Sequence, residues 1–428
     1  MDTIFKNRMT SYYRENGEDK ADNKLCTFVI FALFCVFVVN LSSVLESLTG
    51  LSSSLISNCC KALIGLSFVL LIPIVVSRFN SRAFVLTFSV LLLFAFNYFV
   101  FEETRKTLVD TILSFWTLCY TLMIATCSIK DYSVFLKKLT SISKLIAWIS
   151  AGVVVLYFLN YVRSSDEGIY YSMGFGYACL LPLIVNEKLM FDKPSLISVI
   201  RFLIILGACI LLGSRGPLIG LISFTIFYIF FFFSKEKRVT AKGKTFVILF
   251  LLFVLIVILF YQKIFEFLYF SLKQFGIESR TIYTFSTGSA SSHDSGRGER
   301  YEKIFNALIN DPFSFRGIHA DYLLIGGYTH NIVLEVLYEL GAFVGIPFLL
   351  IILYYAMKSI FAVKVNEKTI VLLMLMCASL PCLFISSVVW STHSFWMWFG
   401  VMIVQPGASF KKAKFKEYFE MTSARLAR

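Results

Sequence analysis

The sequence predicts an all-α polytopic membrane protein with about twelve transmembrane helices and one long, partly helical outer loop. Hydrophobic residues make up 57% of the chain and charged residues only 16%, whereas soluble domains carry roughly 25% charged residues. Apolar runs of about 20 residues recur, and each is long enough to cross a bilayer as a helix. No cleavable signal peptide is expected, because the first apolar run is long and follows a mixed-charge tail.

Twelve apolar segments account for most of the chain, and the sixth and twelfth are the shortest. Their approximate bounds are 25–45, 61–77, 84–101, 108–127, 144–162, 171–186, 197–213, 217–234, 244–262, 331–357, 369–386 and 393–406. Lysine and arginine concentrate in alternate loops and in both terminal segments. The positive-inside rule therefore places both termini in the cytoplasm. The net charge of +13 then belongs to one membrane face and does not indicate a nucleic-acid surface.

The chain divides into three parts. Residues 1–262 hold transmembrane helices one to nine, residues 263–330 form an outer loop, and residues 331–428 hold helices ten to twelve and a cytoplasmic tail. The outer loop is too long for a structureless connection, so we expect short helices within it. The aromatic, amphipathic stretch Ile264–Phe275 is predicted to lie in the membrane interface.

A helix is predicted over residues 298–310 of this loop. Five apolar residues recur there at helical spacing, namely Tyr301, Ile304, Phe305, Leu308 and Ile309. Asp294 or Ser295 can cap the helix, and Pro312 follows its end. Arg297 precedes Tyr301 by four residues and extends the apolar face toward the protein, so we expect a functional role for it. Arg300 and Lys303 are expected to face solvent.

A second candidate site is the outer turn Gly213-Ser214-Arg215-Gly216-Pro217. Pro217 suits the first position of a helix, and Ser214 or Gly216 can cap it. Arg215 would then lie beside free backbone N–H groups at a helix N-terminus, an arrangement that binds anions. The alternative is an interfacial arginine that reaches lipid phosphates.

His330 lies at the predicted start of the tenth transmembrane helix, with Thr329 as the expected N-cap. A helix N-terminus disfavours the imidazolium ion, so His330 is expected to be neutral near pH 7 and able to accept a proton. The alternative is a purely structural histidine. Glu335 and Glu339 follow inside the helix and should face the bundle interior, and Gly341 and Gly345 suit close packing.

Other polar residues give weaker signals. His293, His319 and His393 lack the spacing of a metal-ligand set, and Ser291, His293 and Asp294 are not expected to form a catalytic triad. We therefore predict no metal site. Trp390, Trp396 and Trp398 fit an interfacial aromatic belt or a platform for sugars equally well.

Several of these short motifs, in this order, resemble those of the O-antigen ligase and polymerase superfamily. They are Ser214-Arg215-Gly216, Ser295-Gly296-Arg297, Tyr301, Asp311-Pro312-Phe313, His330-Asn331 and the glycine-rich helix after them. The resemblance covers residues 213–347. It implies a multi-span, GT-C-like glycosyltransferase of the bacterial inner membrane, with its active site in the periplasm. It further implies that Arg215 and Arg297 hold the undecaprenyl pyrophosphate of a donor and that His330 activates the acceptor. Ser214, Tyr301, Arg316, Asn331 and Glu335 are candidate supporting residues.

The residues suit one reaction without a metal or cofactor. Pyrophosphate is a good leaving group that needs charge stabilisation, which arginines supply, whereas a sugar hydroxyl is a poor nucleophile that needs a base. Wzy-type polymerisation of lipid-linked repeat units is the preferred function. Transfer of glycan to lipid A-core by a ligase is the alternative. A transporter or flippase of lipid-linked oligosaccharide is a further one. The expected partners are the lipid-linked oligosaccharide, membrane lipid and a chain-length regulator protein, with no nucleic acid.

The orientation can be tested by cysteine labelling from outside the cell in a background without native cysteines. A cysteine introduced at Ser291, in the predicted outer loop, should react with an impermeant thiol reagent. A cysteine introduced at Ala241, beside the basic segment that follows Lys235, should be protected because that segment is predicted to be cytoplasmic. The reverse labelling pattern would rule out both the orientation and a periplasmic active site.

Overall fold

The structure is a computed structural model that describes residues 2–49, 52–163, 173–212, 216–235, 241–274, 280–287, 297–361 and 366–405. Every regular element in these ranges is a helix. The α-helices are α1 (Asp2–Thr49), α2 (Ser53–Val69), α3 (Ile72–Ser77), α4 (Ser81–Val100), α5 (Arg105–Ser114), α6 (Thr121–Cys127), α7 (Tyr132–Arg163), α8 (Met173–Asp192), α9 (Leu196–Leu212), α10 (Gly216–Lys235), α11 (Ala241–Gln274), α12 (Arg280–Ser286), α13 (Arg297–Asn310), α14 (Ala320–Ile325), α15 (Ile332–Ile360), α16 (Glu367–Cys377), α17 (Leu380–Leu383) and α18 (His393–Val404). A π-helix (Phe115–Tyr120) joins α5 to α6, and a 3-10 turn (Val389–Ser391) precedes α18.

The apolar helices confirm the predicted fold class, an all-α polytopic membrane protein. Five described segments are long and apolar enough to cross a membrane, namely Asp19–Glu46, Ser81–Val100, Arg105–Cys127, Tyr132–Leu156 and Ile332–Ile360. Four apolar helices are shorter. Large apolar side chains such as Phe84, Phe99 and Phe343 are exposed on these helices, as expected for surfaces that face lipid. The count of twelve spans, the orientation and the three-part division stay predictions.

Several predicted helices differ from the observed ones because of local backbone chemistry. The second segment is divided between α2 and α3, with Pro73 at the start of α3. The eleventh is divided between α16 and α17, with Pro381 at the start of α17. Proline lacks the N–H that would continue a helix. The stretch Ile264–Phe275 does not form a separate interfacial helix, since α11 runs without interruption from Ala241 to Gln274.

Helix α15 is interrupted at Gly341, whose backbone angles are φ 65° and ψ 167°. This region of backbone space is open essentially to glycine alone. The interruption frees backbone groups, and the outer loop uses them. The Glu339 carbonyl accepts hydrogen bonds from the N–H groups of Arg316 and Gly317, both at 3.0 Å, and Ala342 N–H donates to the Pro312 carbonyl at 2.8 Å. The prediction that Gly341 serves only close helix packing is therefore incomplete.

The same loop is anchored to α4 on its other side. The buried Asn97 side chain accepts a hydrogen bond from Ile318 N–H at 2.7 Å, and the Phe315 ring stacks on Phe101 with centroids 5.5 Å apart. Gly317 has φ +94°, and a Cβ there would lie 2.9 Å from the Phe101 ring. The segment 312–318 is thus held between α4 and the break in α15, at one end of the bundle.

The three tryptophans near the C-terminal end of the described chain are buried, not interfacial. Trp390, Trp396 and Trp398 are each at most 2% exposed, so the predictions of an aromatic belt and of a sugar platform are both wrong. Their indole N–H groups are used inside the protein. Trp390 Nε1 donates to Glu339 Oε2 at 2.7 Å, and Trp398 Nε1 donates to Ser359 Oγ at 3.0 Å. These residues fasten α18 and the segment before it to α15.

Replacement of Gly341 by alanine should destabilise the protein strongly. A Cβ at Gly341 would lie 2.7 Å from the Phe313 carbonyl oxygen, and the φ of 65° is itself unfavourable for alanine. We expect a loss of about 1–3 kcal/mol from backbone strain alone, measured as a lower thermal unfolding midpoint in detergent. Gly207→Ala is the matched control, because its Cβ meets nothing within 4 Å. Equal unfolding midpoints for the two variants would contradict this role of Gly341.

Candidate functional site

Helix α13 begins at Arg297 and ends at Asn310, which confirms the predicted outer helix. Its buried face centres on Ile304, which packs with Ala320 and Tyr338. Phe305 and Ile309 are 56% and 63% exposed, so the predicted apolar face is only partly the buried one. The proposed caps Asp294 and Ser295 lie outside the described residues.

The three basic residues of α13 have different surroundings. Arg297 is half-buried, and its charge acts on His330. Arg300 does the same, and its guanidinium lies 3.6 Å from the position that a Cβ of Gly327 would take. Arg300 therefore does not simply face solvent, contrary to the prediction. Lys303 fits the predicted solvated face, since it pairs with Glu299 at 2.7 Å and both side chains are more than half exposed.

Neither Arg297 nor Arg300 lies within ion-pair distance of a carboxylate among the described residues. Lys303, one turn further along α13, does have such a partner. A half-buried guanidinium without a counterion attracts anions, and its planar donor set matches the oxygens of a phosphate. The first turn of α13 is therefore a candidate anion site.

His330 lies immediately before α15 in a left-handed conformation, with φ 60°. The N-cap of α15 is Asn331, whose side chain accepts hydrogen bonds from Val333 N–H and Leu334 N–H at 3.0 and 3.2 Å. The prediction of Thr329 as N-cap is wrong. The Thr329 hydroxyl and N–H both donate to buried Asp321 at 2.8 Å. Bonds on either side thus hold His330 in a strained backbone conformation.

The contacts of the His330 ring define its proton state. Nδ1 lies 3.3 Å from the Ser386 carbonyl oxygen, and because a carbonyl only accepts, Nδ1 carries the proton in this contact. Nε2 then keeps a free lone pair. The pKa of His330 is lowered to about 4, mainly by burial, with the Arg297 and Arg300 charges acting in the same direction and the bond to Ser386 acting against them. This direction agrees with the predicted neutral state, but its main cause is burial and not the helix N-terminus.

Two tyrosines complete the surroundings of His330. The Tyr328 ring packs against the imidazole with centroids 4.0 Å apart. The Tyr301 hydroxyl, from α13, donates to the His330 carbonyl at 3.4 Å. Tyr301 was a predicted supporting residue, whereas Tyr328 and Ser386 were not. Tyr328 is close to His330 in sequence and could have been found there, but Ser386 gave no signal.

The glycine-containing turn before α10 reaches the same place. Ser214 and Arg215 lie outside the described residues, and α10 begins at Gly216. A Cβ on Gly216 would collide with the Tyr177 hydroxyl and lie 3.4 Å from Ser386 Oγ. Ser386 also contacts His330 through its carbonyl. Gly216, which follows Arg215, therefore lies next to a residue that contacts His330, although Gly216 and His330 are 114 positions apart in the sequence.

A cavity of about 410 Å³ adjoins this point. Its lining includes Tyr328 and Ser386, further polar residues such as Ser391 and Thr392, and apolar side chains of α1, α7 and α8 such as Phe34 and Leu181. Cavities of this size, lined by apolar side chains and a few polar groups, are typical of ligand sites. Tyr328 and Ser386 both contact His330, so the cavity lies one residue away from the imidazole.

Two of the predicted supporting residues have structural partners. The Arg316 guanidinium donates to the carbonyls of Ala307 and Asp311 near the end of α13, at 3.2 and 2.5 Å, and lies 4.7 Å from the centre of the Tyr338 ring. It holds the outer loop and is not part of the anion site. Glu335 is buried and accepts from Val389 N–H at 3.1 Å, which orients the segment after Ser386.

Residues that could hold a metal also come together here. His319, Asp321 and Glu339 are buried and their ligand atoms are mutually close. The sequence prediction found no such set because Glu339 lies in α15, 18 positions after Asp321, and joins His319 and Asp321 only in the folded chain. This cluster lies between α14 and α15, next to the loop that carries His330.

Fold and site together define a polytopic helical membrane protein with a basic, histidine-containing site at one end of its bundle. Residues 200–349 match the family model described as O-antigen ligase. The match spans about a third of the chain, includes Arg215, Arg297 and His330, and supports the assignment to the O-antigen ligase and polymerase superfamily. It points to a membrane function of the ligase or polymerase type. No curated protein and no solved structure matches the chain.

The neutral state of His330 can be measured by its reaction with diethyl pyrocarbonate, mapped by mass spectrometry. Only neutral imidazole reacts. A group of pKa about 4 is still about 90% neutral at pH 5, whereas an ordinary histidine is only about 3% neutral. The rate at His330 should therefore hardly fall between pH 7 and pH 5.

The arginine contribution has a matched control. Arg297→Gln and Arg300→Gln should each raise the pKa of His330, because each removes a nearby positive charge, while Lys303→Gln should leave it unchanged. A wild-type rate that falls with an apparent pKa near 6.5 would contradict the buried environment of His330.

Proposed function

We propose that this protein is a membrane glycosyltransferase that polymerises undecaprenyl-pyrophosphate-linked O-antigen repeat units. The observation that carries the proposal is the arrangement around His330. An imidazole with a free Nε2 lone pair lies near two arginines that have no carboxylate partner among the described residues, and two residues that contact it, Tyr328 and Ser386, line a cavity. The reaction would take place at the periplasmic face of the bacterial inner membrane.

The donor's pyrophosphate would bind at the first turn of α13 and beside the turn that contains Arg215. Arg297 and Arg300 supply uncompensated charge, and Gly216, next to Arg215, lies against Ser386. As the bond between the sugar and the phosphate oxygen breaks, negative charge grows on the leaving pyrophosphate. Preorganised guanidinium groups stabilise that charge more than they stabilise the bound donor, which is the condition for catalysis.

The acceptor hydroxyl would be activated by His330. Its oxygen attacks the anomeric carbon of the donor glycan, and its proton passes to Nε2. The new glycosidic bond forms as undecaprenyl pyrophosphate leaves, and His330 then releases the proton to water. Nδ1 remains bound to the Ser386 carbonyl throughout, so the ring keeps the orientation that directs Nε2 to the acceptor. No metal takes part in these steps.

Donor binding would also adjust the strength of the base. A histidine of pKa about 4 accepts a proton weakly, and the Arg297 and Arg300 charges contribute to that low value. A bound pyrophosphate offsets the same charges and so raises the pKa of His330. The imidazole would become a better base only when the donor is in place, which suits a reaction that must not waste donor on water.

The cavity suits the lipid-linked nature of the substrates. Apolar side chains of α1, α7 and α8 form much of its lining, and Tyr328 and Ser386, which contact His330, belong to the same lining. A ligase that transfers glycan to lipid A-core would use the same donor chemistry, and the family description favours it. A flippase of lipid-linked oligosaccharide is less well supported, because it needs no positioned base. We favour the polymerase, because the Gly213–Pro217 turn and the high hydrophobicity resemble those of Wzy-type polymerases.

Lipopolysaccharide from a deletion strain separates these functions. Loss of a polymerase should leave core bearing a single repeat unit, because the ligase still transfers unpolymerised donor. Loss of a ligase or a flippase should leave bare core. Bare core in the deletion strain, restored by the wild-type gene, would therefore exclude the polymerase assignment.

The anion site can be tested by charge removal. Arg297→Ala and Arg215→Ala should each abolish or severely reduce polymer at normal protein levels, because the leaving pyrophosphate loses a positive partner. Arg215→Lys should recover activity only partly, since lysine keeps the charge and loses the bidentate geometry. Lys303→Ala is the control and should be mild, because Lys303 pairs with Glu299 at the surface. Near-normal ladders from both alanine variants would rule out the pyrophosphate site.

The base can be tested at His330. His330→Gln keeps some hydrogen bonding but accepts no proton, so turnover should fall by about 100- to 10,000-fold, the usual contribution of general-base catalysis. Binding of the donor should survive, because the arginines remain. His293→Ala, in the same outer loop, is the comparison and should have a smaller defect. Wild-type polymerisation by His330→Gln would limit His330 to a structural role.

A further inference from the structure

A second polar cluster lies next to the reacting site, between α14 and α15. It consists of His319, Asp321 and Glu339, which are 6%, 1% and 0% exposed. One ring nitrogen of His319 and one carboxylate oxygen from each acid lie within 4.8 Å of one another. None of these residues contacts the His330 ring, and the proposed transfer reaction uses none of them.

The charges of this cluster are not balanced by the protein. Asp321 interacts electrostatically with both Glu335 and Glu339, so three carboxyl groups share one buried region. In the described ranges, no lysine or arginine forms an ion pair with any of the three. Buried carboxylates are strongly unfavourable without a positive partner. The cluster therefore needs a cation or bound protons.

The hydrogen bonds of His319 favour a bound cation over bound protons. The Thr111 hydroxyl donates to the Thr107 carbonyl at 3.1 Å, so toward His319 its oxygen acts as the acceptor, at 2.7 Å from Nε2. Nε2 then carries the ring proton, and Nδ1 keeps a lone pair. Nδ1 is buried and has no hydrogen-bond partner within the part of the chain that the structure describes. A fixed, buried ring that has one unused lone pair and lies close to two carboxylates has the features of a metal-binding histidine.

Glu335 supplies a second unused ligand atom. Its Oε1 accepts from Val389 N–H, but its buried Oε2 has no partner among the described residues. An imidazole nitrogen with carboxylate oxygens is a mixed set that Zn²⁺ and Mn²⁺ accept. Calcium prefers six to eight oxygen ligands, and magnesium keeps several waters. The chemistry of the set thus favours a transition-metal ion.

We propose that His319, Asp321 and Glu339 bind one divalent transition-metal ion, with the buried carboxyl of Glu335 adding negative charge to the same region. Two positive charges would neutralise two of the three carboxyl groups. The ion would tie the segment before and within α14 to α15 through His319, Asp321 and Glu339, and Glu335, which is not part of this close group, would lie outside its immediate ligand set. Its role is structural, and it is compatible with a transfer step that uses no metal because the ion would not touch the substrate.

The test measures bound metal and does not depend on polymer synthesis. Wild-type protein in detergent is dialysed against EDTA, incubated with Zn²⁺ or Mn²⁺, separated from free ion by gel filtration and analysed by elemental mass spectrometry. We expect about one ion per chain and a higher thermal unfolding midpoint with metal. Mg²⁺ and Ca²⁺ at equal concentration should bind far less.

Conservative variants locate the ion. Asp321→Asn and Glu339→Gln should each lose the bound ion and the thermal shift. Glu187→Gln is the matched control, because Glu187 is a fully buried carboxyl elsewhere, in α8, and it should keep both. A variant that misfolds is recognised by gel filtration. The metal content of the wild-type protein then still shows whether an ion is bound.

Three results would overturn the proposal. Wild-type protein that binds neither Zn²⁺ nor Mn²⁺ and shows no thermal shift would mean that protons neutralise the cluster. Binding of Mg²⁺ or Ca²⁺ in preference would contradict the assigned cation class. Equal metal content in wild type, Asp321→Asn and Glu339→Gln would place the ion elsewhere. Loss of polymer in His330→Gln with metal still bound would leave both this site and the transfer mechanism standing.

Discussion

The buried side chain of Glu339 is the interaction on which the functional end of the molecule depends. Its Oε1 accepts from His319 N–H and its Oε2 from the Trp390 indole, both at 2.7 Å. Its carbonyl, freed by the break at Gly341, accepts from Arg316 and Gly317. One residue therefore joins the outer loop, α15 and the segment before α18. The Ser386 carbonyl that orients His330 belongs to the same connected region, so the position of the base follows from this junction.

Backbone strain is concentrated in the same place. In the part of the chain that the structure describes, His319 and His330 are the non-glycine residues with positive φ. Each such residue costs about 1–3 kcal/mol and persists only where its surroundings enforce it. Asp321 and the Asn331 cap enforce it for His330, and Glu339 and Thr111 hold His319. Each ring is thereby fixed with one nitrogen hydrogen-bonded and the other without a partner in the described residues. In the proposals above, the second nitrogen accepts a proton in His330 and binds a metal ion in His319.

The site also lies at a boundary between polar and apolar surface. Phe343 follows the break in α15 by two residues and is 75% exposed, and its ring lies against the exposed Phe313 of the outer loop, with centroids 4.9 Å apart. Polar groups gather on one side of Gly341 and lipid-facing groups on the other. A substrate with a charged head and a long apolar chain would meet both kinds of surface within a short distance, which agrees with the proposed lipid pyrophosphate donor.

The sequence by itself determined the fold class and the outer helix over residues 298–310, and it singled out His330 as a candidate, because apolar periodicity and short motifs are local signals. It could not determine which face of α13 packs against the protein, and Arg300 was therefore predicted to face solvent. It also could not determine that the three tryptophans are buried. It also missed the break at Gly341, since a glycine in an apolar run fits a packed helix equally well. Ser386 and Glu339 reach the histidines only through tertiary contacts between segments that are separate in the sequence. Burial, which sets the low pKa of His330, likewise exists only once those segments have packed together.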